Sequence, residues 1–234
     1  MAPNSAVRYT LGMARLPFTI TNDDWQSMLQ ELNNYREAKF WRDFTWHGSR
    51  MAVIDSEKFS HVTISDDDWA SMARELEIHR MGGAWDAFAA RFSRLKLMMP
   101  DRVAMITVTE TEWQSILALL SKFVMQQNWA NFSSHAHHIK TIQSERLNPL
   151  ELRDKDWDGM AATLERFRTS SEWSHYAKQA SYMKIIDPGR FVNIKITDEI
   201  WNKIIGILED ARHEKHWGKL AAQASRLKTI SSQE

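Results

Sequence analysis

The sequence predicts an α+β, predominantly helical fold: five tandem 44-residue strand–helix–helix–strand repeats, stacked as a solenoid or closed superhelix, with β-hairpins bridging the units. Two tryptophan columns, a leucine column and the absence of insertions predict it. Trp25, Trp69, Trp113, Trp157 and Trp201 succeed one another every 44 residues, and so do Trp41, Trp85, Trp129, Trp173 and Trp217. Of the eleven tryptophans only Trp46 lies outside these columns. Leu32, Leu76, Leu120, Leu164 and Leu208 keep the same interval. Self-similarity at a fixed period of this size is the signature of stacked supersecondary units. The units run 15–58, 59–102, 103–146, 147–190 and 191–234, after an opening segment, 1–14, expected to be an N-terminal capping strand.

Each unit opens on an apolar pair with period-2 spacing, the pattern of a half-buried strand. The pairs are Phe18/Ile20, Val62/Ile64, Ile106/Val108, Leu150/Leu152 and Ile194/Ile196. Thr21, Ser65, Thr109 and Thr197 follow as natural helix N-caps, with Asp24, Asp68 and Glu112 in the capping-box position three residues on. Helix A then carries a stripe such as Trp113, Ile116, Leu120 and Phe123, and helix B one such as Trp85, Phe88, Phe92 and Leu95. Apolar residues at this spacing are the buried faces of amphipathic helices. The unit is expected to end in a short strand, as in Leu95-Lys96-Leu97-Met98 or Met183-Lys184-Ile185-Ile186, followed by a turn such as Asp187-Pro188-Gly189-Arg190. Val7-Arg8-Tyr9-Thr10 aligns with that closing strand and supplies a partner for the first hairpin.

At 234 residues, 43% hydrophobic and 26% charged, the chain has the composition of a folded soluble protein and not of a disordered one. It lacks cysteine, which excludes disulfides and thiolate metal sites. Its formal net charge is zero, which argues against a grip on nucleic acid through bulk charge. With neither an 18-residue apolar run nor the apolar stretch of a signal peptide, a cytoplasmic location without membrane contact is expected. Acidic side chains outnumber basic ones in the first half of every unit, and the second half reverses the balance.

Three basic columns are candidates for binding repeated anions, as in a nucleic acid: Arg36, Arg80, Arg168 and Arg212 late in helix A; Lys96, Lys140, Lys184 and Lys228 in the closing strand; and Lys58, Arg102, Arg146 and Arg190 in the turns. A second set marks an exposed, variable face of helix B: Arg42, Trp46, His47, Arg50, Arg91, Arg94, His135, His138, Lys178, Tyr182 and Arg226. Trp46, out of phase with its siblings, is the strongest anchor candidate there. His135 and His138 have a spacing that two metal ligands on one helix face would share, but no third ligand recurs nearby, so no metal is expected.

Walker loops, dinucleotide fingerprints and nucleophile elbows are all missing, and no cofactor or enzymatic activity is expected. The function expected is a non-enzymatic scaffold that binds a protein partner through helix B, the usual use of stacked repeats. Nucleic-acid binding along the basic columns is the alternative. The stretch from Val62-Thr63-Ile64-Ser65-Asp66 through Trp85 locally resembles a ribbon–helix–helix unit, and that resemblance implies DNA binding; the expected closing strand has no counterpart in that family.

Overall fold

The computed structural model describes residues 18–147 and 152–232, so the expected capping strand, 1–14, and Leu150 lie outside the described residues. Every described element is helical. The first repeat holds α1 (Asn22–Glu37), α2 (Trp41–Ile54) and a short α3 (Ser56–Ser60); the second α4 (Asp66–Met81), α5 (Trp85–Met98) and α6 (Pro100–Val103). The third holds α7 (Glu110–Met125), α8 (Trp129–Ile142) and a 3-10 turn, Ser144–Leu147. The fourth holds α9 (Asp154–Thr169), α10 (Trp173–Ile186) and α11 (Pro188–Phe191), and the fifth α12 (Asp198–His213) and α13 (Trp217–Ser231).

The expected strands and hairpins are therefore corrected: no strand occurs among the described residues, and the repeat is helix–helix–turn. The closing segment is the last turn of the second helix. That helix touches neighbours on several sides, so it is apolar at successive positions such as Leu95, Leu97 and Met98, and a short apolar run does not distinguish a strand from a buried helix end. The opening segment is an extended linker lying on the core through Ile20, Val62, Ile64, Ile106 and Val108. Its carbonyls find arginines in place of a partner strand: Arg36, Arg80 and Arg212 donate to the carbonyls of Thr63, Thr107 and Thr19 at 2.6, 2.7 and 2.7 Å. Without a strand, the local likeness to a ribbon–helix–helix unit is lost as well.

The helix starts are as the sequence reads. Thr21, Ser65 and Thr109 make full capping boxes with Asp24, Asp68 and Glu112, and Thr197 caps α12 alone. The turn between the two long helices has one left-handed residue in every repeat, Lys39, Gly83, Gln127, Ser171 and Lys215. Only one of the five is the glycine this conformation favours, so packing on both flanks holds the turn.

The repeats close into a ring. α2, α5, α8, α10 and α13 pack side by side as an inner barrel, α13 returning to α2, while the 16-residue helices α1, α4, α7, α9 and α12 lie outside. Each inner helix also touches the outer helix of the next repeat, and α13 touches α1 in the same way. The polar locks repeat this order. Arg36 pairs with Asp68 at 3.5 Å and Arg80 with Glu112 at 3.1 Å; Arg212 pairs with Asp24 at 2.9 Å across the chain ends. Lys96 donates to the Ile142 carbonyl at the end of the next inner helix (2.6 Å), and Lys228 does the same to Ile54 across the seam (2.7 Å). Of the two stacking modes the sequence allows, these contacts select the closed one.

The indoles glue the seams. Trp25 and Trp113 are buried; the remaining eight of the two columns are half-buried against the core. Trp129 lies so close over α9 that a Cβ on Gly159 would stand 2.2 Å from its ring.

Candidate anion-binding site

Side chains on a helix lean toward its N-terminus and recur on one face every three to four residues. In a closed barrel of five parallel inner helices, the positions facing the axis therefore meet. Arg50, Arg94, His138, Tyr182 and Arg226 hold one such position, one from each repeat; Trp46, Ala90, Ser134, Lys178 and Ala222 hold the next toward the helix starts.

The rings in this layer gather around His137, Tyr182 stacked on it and His138 meeting it edge-on. His137 lies on Tyr182 with centroids 4.5 Å apart, and His138 is 4.8 Å from His137. Ser93 hydrogen-bonds the Nδ1 of His138 at 2.8 Å. The Lys178 ammonium sits over Tyr182 at 5.8 Å, and the Arg50 guanidinium over Trp46 at 5.7 Å. Trp46 in turn approaches Gly218 on α13, where a Cβ would be 3.7 Å from the indole. Arg226 reaches back to Ser174, donating to its carbonyl at 3.3 Å and its hydroxyl at 3.1 Å. The Arg226 guanidinium thus lies toward the face where the inner helices begin.

Charge in this layer is unbalanced. Arg50 and Arg94 are half-buried, make no hydrogen bond or ion pair among the described residues, and each keeps a buried Nε without a partner. Among the described residues Arg226 meets only neutral oxygens, from Ser174 and Gln223. Burial and then the charge of Arg50 push both Arg94 and Arg226 down to about 10. Burial, with Arg50, Arg94 and Lys178, holds His137 at about 3, and His138 falls well below the usual imidazole range for similar reasons. Burial alone would raise the Tyr182 hydroxyl, but Arg50, Lys178, a bond to Ser134 and Arg226 outweigh it and lower it. The charge of Arg50 bears on a group in each of the other four repeats, in keeping with its column on the inner helices. The nearest acids are engaged or peripheral: Asp43 pairs with Arg42 at the helix starts, Glu75 with Arg91, and Asp86 lies exposed in the first turn of α5.

The residues expected on an exposed face of helix B are thus placed inside the ring. Arg50, Arg94, His138, Lys178, Tyr182 and Arg226 converge with Trp46, and Arg42 stands exposed at the mouth. Three others are buried seam residues. His47 and His135 donate through Nε2 to the carbonyls of Met28 and Ile116, at 2.9 and 2.8 Å, tying each inner helix to its outer one; Gln179 and Gln223 take that place in later repeats. Arg91 spans repeats, bonding Thr45 at 3.0 Å and pairing with Glu75. His135 and His138 are bound to partners on different helices, and among the described residues no three His, Asp or Glu side chains form a metal set.

The basic columns expected to bind anions are largely spent within the ring. Arg36, Arg80, Arg212, Lys96 and Lys228 make the locks above; Arg168 pairs with Glu165 at 2.5 Å. In the turns, Lys58 bonds Asn22, and Arg102, Arg146 and Arg190 pair with Asp66, Glu110 and Asp154 of their own repeats. Lys58, Arg102 and Arg146 also lie over Trp25, Trp69 and Trp113. Lys184 sits over Phe191, and Lys140 borders a cleft of about 930 Å³ between the third and fourth repeats. Leu147 and Leu152 at the rim of that cleft flank residues 148–151, outside the described residues, and the Arg153–Asp156 pair within it is self-neutralised. The axis carries the unpaired charge, and the site belongs there. Sequence reasoning missed His137, whose column is serine in the other four repeats; that single departure was the available signal.

The fold and site together define a closed five-repeat α-helical ring with a cationic axis. In comparisons with known proteins, the chain matches no family model, no curated protein and no solved structure. Among the described residues no helix is long and apolar enough to cross a membrane.

Proposed function

We propose that this protein is a binding module whose ligand is anionic and is held on the ring axis. One observation carries the reading: Arg50 and Arg94, half-buried side by side with Arg226 and Lys178, have no acidic partner among the described residues. Burying like charges without counter-charge costs several kcal/mol, and a fold keeps such an arrangement where a ligand completes it. Most arginines of the repeated basic columns, by contrast, already pair with acids, which favours a single axial ligand over a repeated groove for nucleic acid. A protein partner fits the same reading if it presents an acidic group to the mouth.

A thermal-shift series at constant ionic strength tests it. Sulfate, phosphate and citrate are exchanged for chloride, on the wild type and on Arg94→Gln. Multivalent anions should raise the wild-type melting temperature by several degrees, as ligands that bind only the native state do. Arg94→Gln, relieved of repulsion, should melt higher without ligand and respond less to anions. Equal melting temperatures in all the salts would sink the reading.

A further inference from the structure

Resting on the axial anion reading, we infer that the ligand is a compact phosphate-bearing molecule, entering from the face where the five inner helices begin. The guanidiniums come from the fifth, first and second repeats, neighbours around the closed ring, and so reach the axis along three successive directions of one arc. A carboxylate is flat and offers two oxygens, which one arginine fork satisfies. A tetrahedral phosphate presents oxygens in several directions, so that separate forks can each make charge-assisted bonds to it. Lys178 adds a point charge, and Tyr182, whose ring lies under that ammonium, adds a hydroxyl donor.

The direction of entry follows from three features. Side chains lean toward the helix N-termini, and Arg226 shows it by reaching Ser174 in the first turn of α10. On that side three of the five positions of the next layer are small, Ala90, Ser134 and Ala222, beside Trp46 and Lys178, whereas toward the helix ends all five are branched: Val53, Leu97, Thr141, Ile185 and Thr229. The inner helices are parallel, each at least 14 residues long, and four of the five begin without a side-chain cap. Their dipoles and free N–H groups place positive potential around the same mouth.

Calorimetric titration of the full chain with pyrophosphate tests the inference, with citrate and a glutamate-rich peptide as carboxylate probes. Pyrophosphate should bind one per chain, and both Arg50→Gln and Arg94→Gln should weaken it about tenfold or more, the size expected for loss of one charge-assisted contact. Arg102→Gln, on the outer surface, should leave it unchanged. Citrate or the peptide should bind at least tenfold more weakly than pyrophosphate. Carboxylate probes binding as tightly as pyrophosphate, with the same sensitivity to Arg94→Gln, overturn the phosphate assignment and leave the axial anion reading standing. If no probe binds, or binding ignores Arg50 and Arg94, both fail. Circular dichroism of each variant establishes that the ring is folded when it is titrated.

Discussion

Arg212→Ala should destabilise this protein about as much as Arg80→Ala, although the acid it pairs with is 188 residues away in sequence. Arg212 donates through Nε to both Asp24 oxygens, at 3.0 and 3.1 Å, and through Nη2 to the Thr19 carbonyl at 2.7 Å. Its third limb meets Glu209, which is half exposed and adds little. The Asp24 side chain is only 5% accessible, so losing its counter-charge leaves a nearly buried carboxylate with a hydrogen bond from the Thr21 backbone N–H alone. Charge-assisted bonds of this kind contribute about 1.5–3 kcal/mol apiece, and stranding one partner of a buried pair costs about 3–5 kcal/mol. The guanidinium is 26% accessible, which lowers the figure. About 2–4 kcal/mol remains, a large part of the ~5–15 kcal/mol that stabilises a typical fold.

Arg80 has the same three contacts inside the chain, to Glu112, the Thr107 carbonyl and Glu77, and serves as the internal standard. Urea unfolding followed by tryptophan emission gives both values. A charge exchange, Asp24→Arg with Arg212→Asp, should recover part of the loss, since the pair is restored but the helix cap is not. In an open solenoid, Arg212 at the last repeat would have no Asp24 to meet. A loss below about 0.5 kcal/mol for Arg212→Ala, beside 2–4 kcal/mol for Arg80→Ala, refutes closure.

The remaining expectations concern seams and pH. Gly159→Ala pushes a Cβ to 2.2 Å from the Trp129 ring and should cost about 1–3 kcal/mol by overpacking. Gly206→Ala, where a Cβ meets nothing within 4 Å, should instead stabilise α12 by up to about 1 kcal/mol; urea midpoints separate the two. Val124→Arg should gain less than about 0.5 kcal/mol in the same assay, because Arg153 already holds both oxygens of Asp156, the acid an arginine at this position would meet. His137, held at about 3, and His138, held well below its usual range, stay neutral in the fold, whereas in the unfolded chain both titrate near 6.5. The unfolded state therefore takes up protons first. Stability is greatest well above pH 6.5 and falls with acidification, His137 alone accounting for roughly 1 kcal/mol at pH 5.5 and His138 adding in the same direction. His137→Gln should reduce that slope, and an unchanged difference between pH 7.5 and 5.5 would contradict the burial argument.

What was legible in the sequence, and what was not, follows from the range of the forces involved. Repeat length, caps and glued seams are local or periodic, and Thr21, Ser65 and Thr109 with the two tryptophan columns declare them. The strands were misread because a helix touched on several sides loses its one-faced pattern, and because Thr19, Thr63 and Thr107 satisfy their carbonyls through arginine, which no alternation of apolar residues reveals. The basic columns looked free for a related reason. Arg36, Arg80 and Arg212 find their acids one repeat on, and the pairing could have been seen only by setting the arginine column beside the Asp24, Asp68, Glu112 and Asp156 column. Where Val124 interrupts the first, Arg153 arrives beside Asp156 to compensate, a correlation written within this one chain.

Closure itself was beyond local reading, because it depends on the rotation between successive repeats summed over five steps. It is also what makes the site. In an open stack, Arg50, Arg94, His138, Tyr182 and Arg226 would form a line, each a repeat apart, every cation hydrated and indifferent to the others. Bending the stack into a ring turns one position per repeat into one cluster, desolvates it, and sets like charges against each other. The seam positions have kept tryptophan or leucine in all five copies, while the axial positions have diverged to arginine, histidine, tyrosine and lysine. Uniformity where the copies must fit one another, and difference where all five face a common point, is the pattern expected if the symmetry serves packing alone and the proposed axial ligand is itself asymmetric.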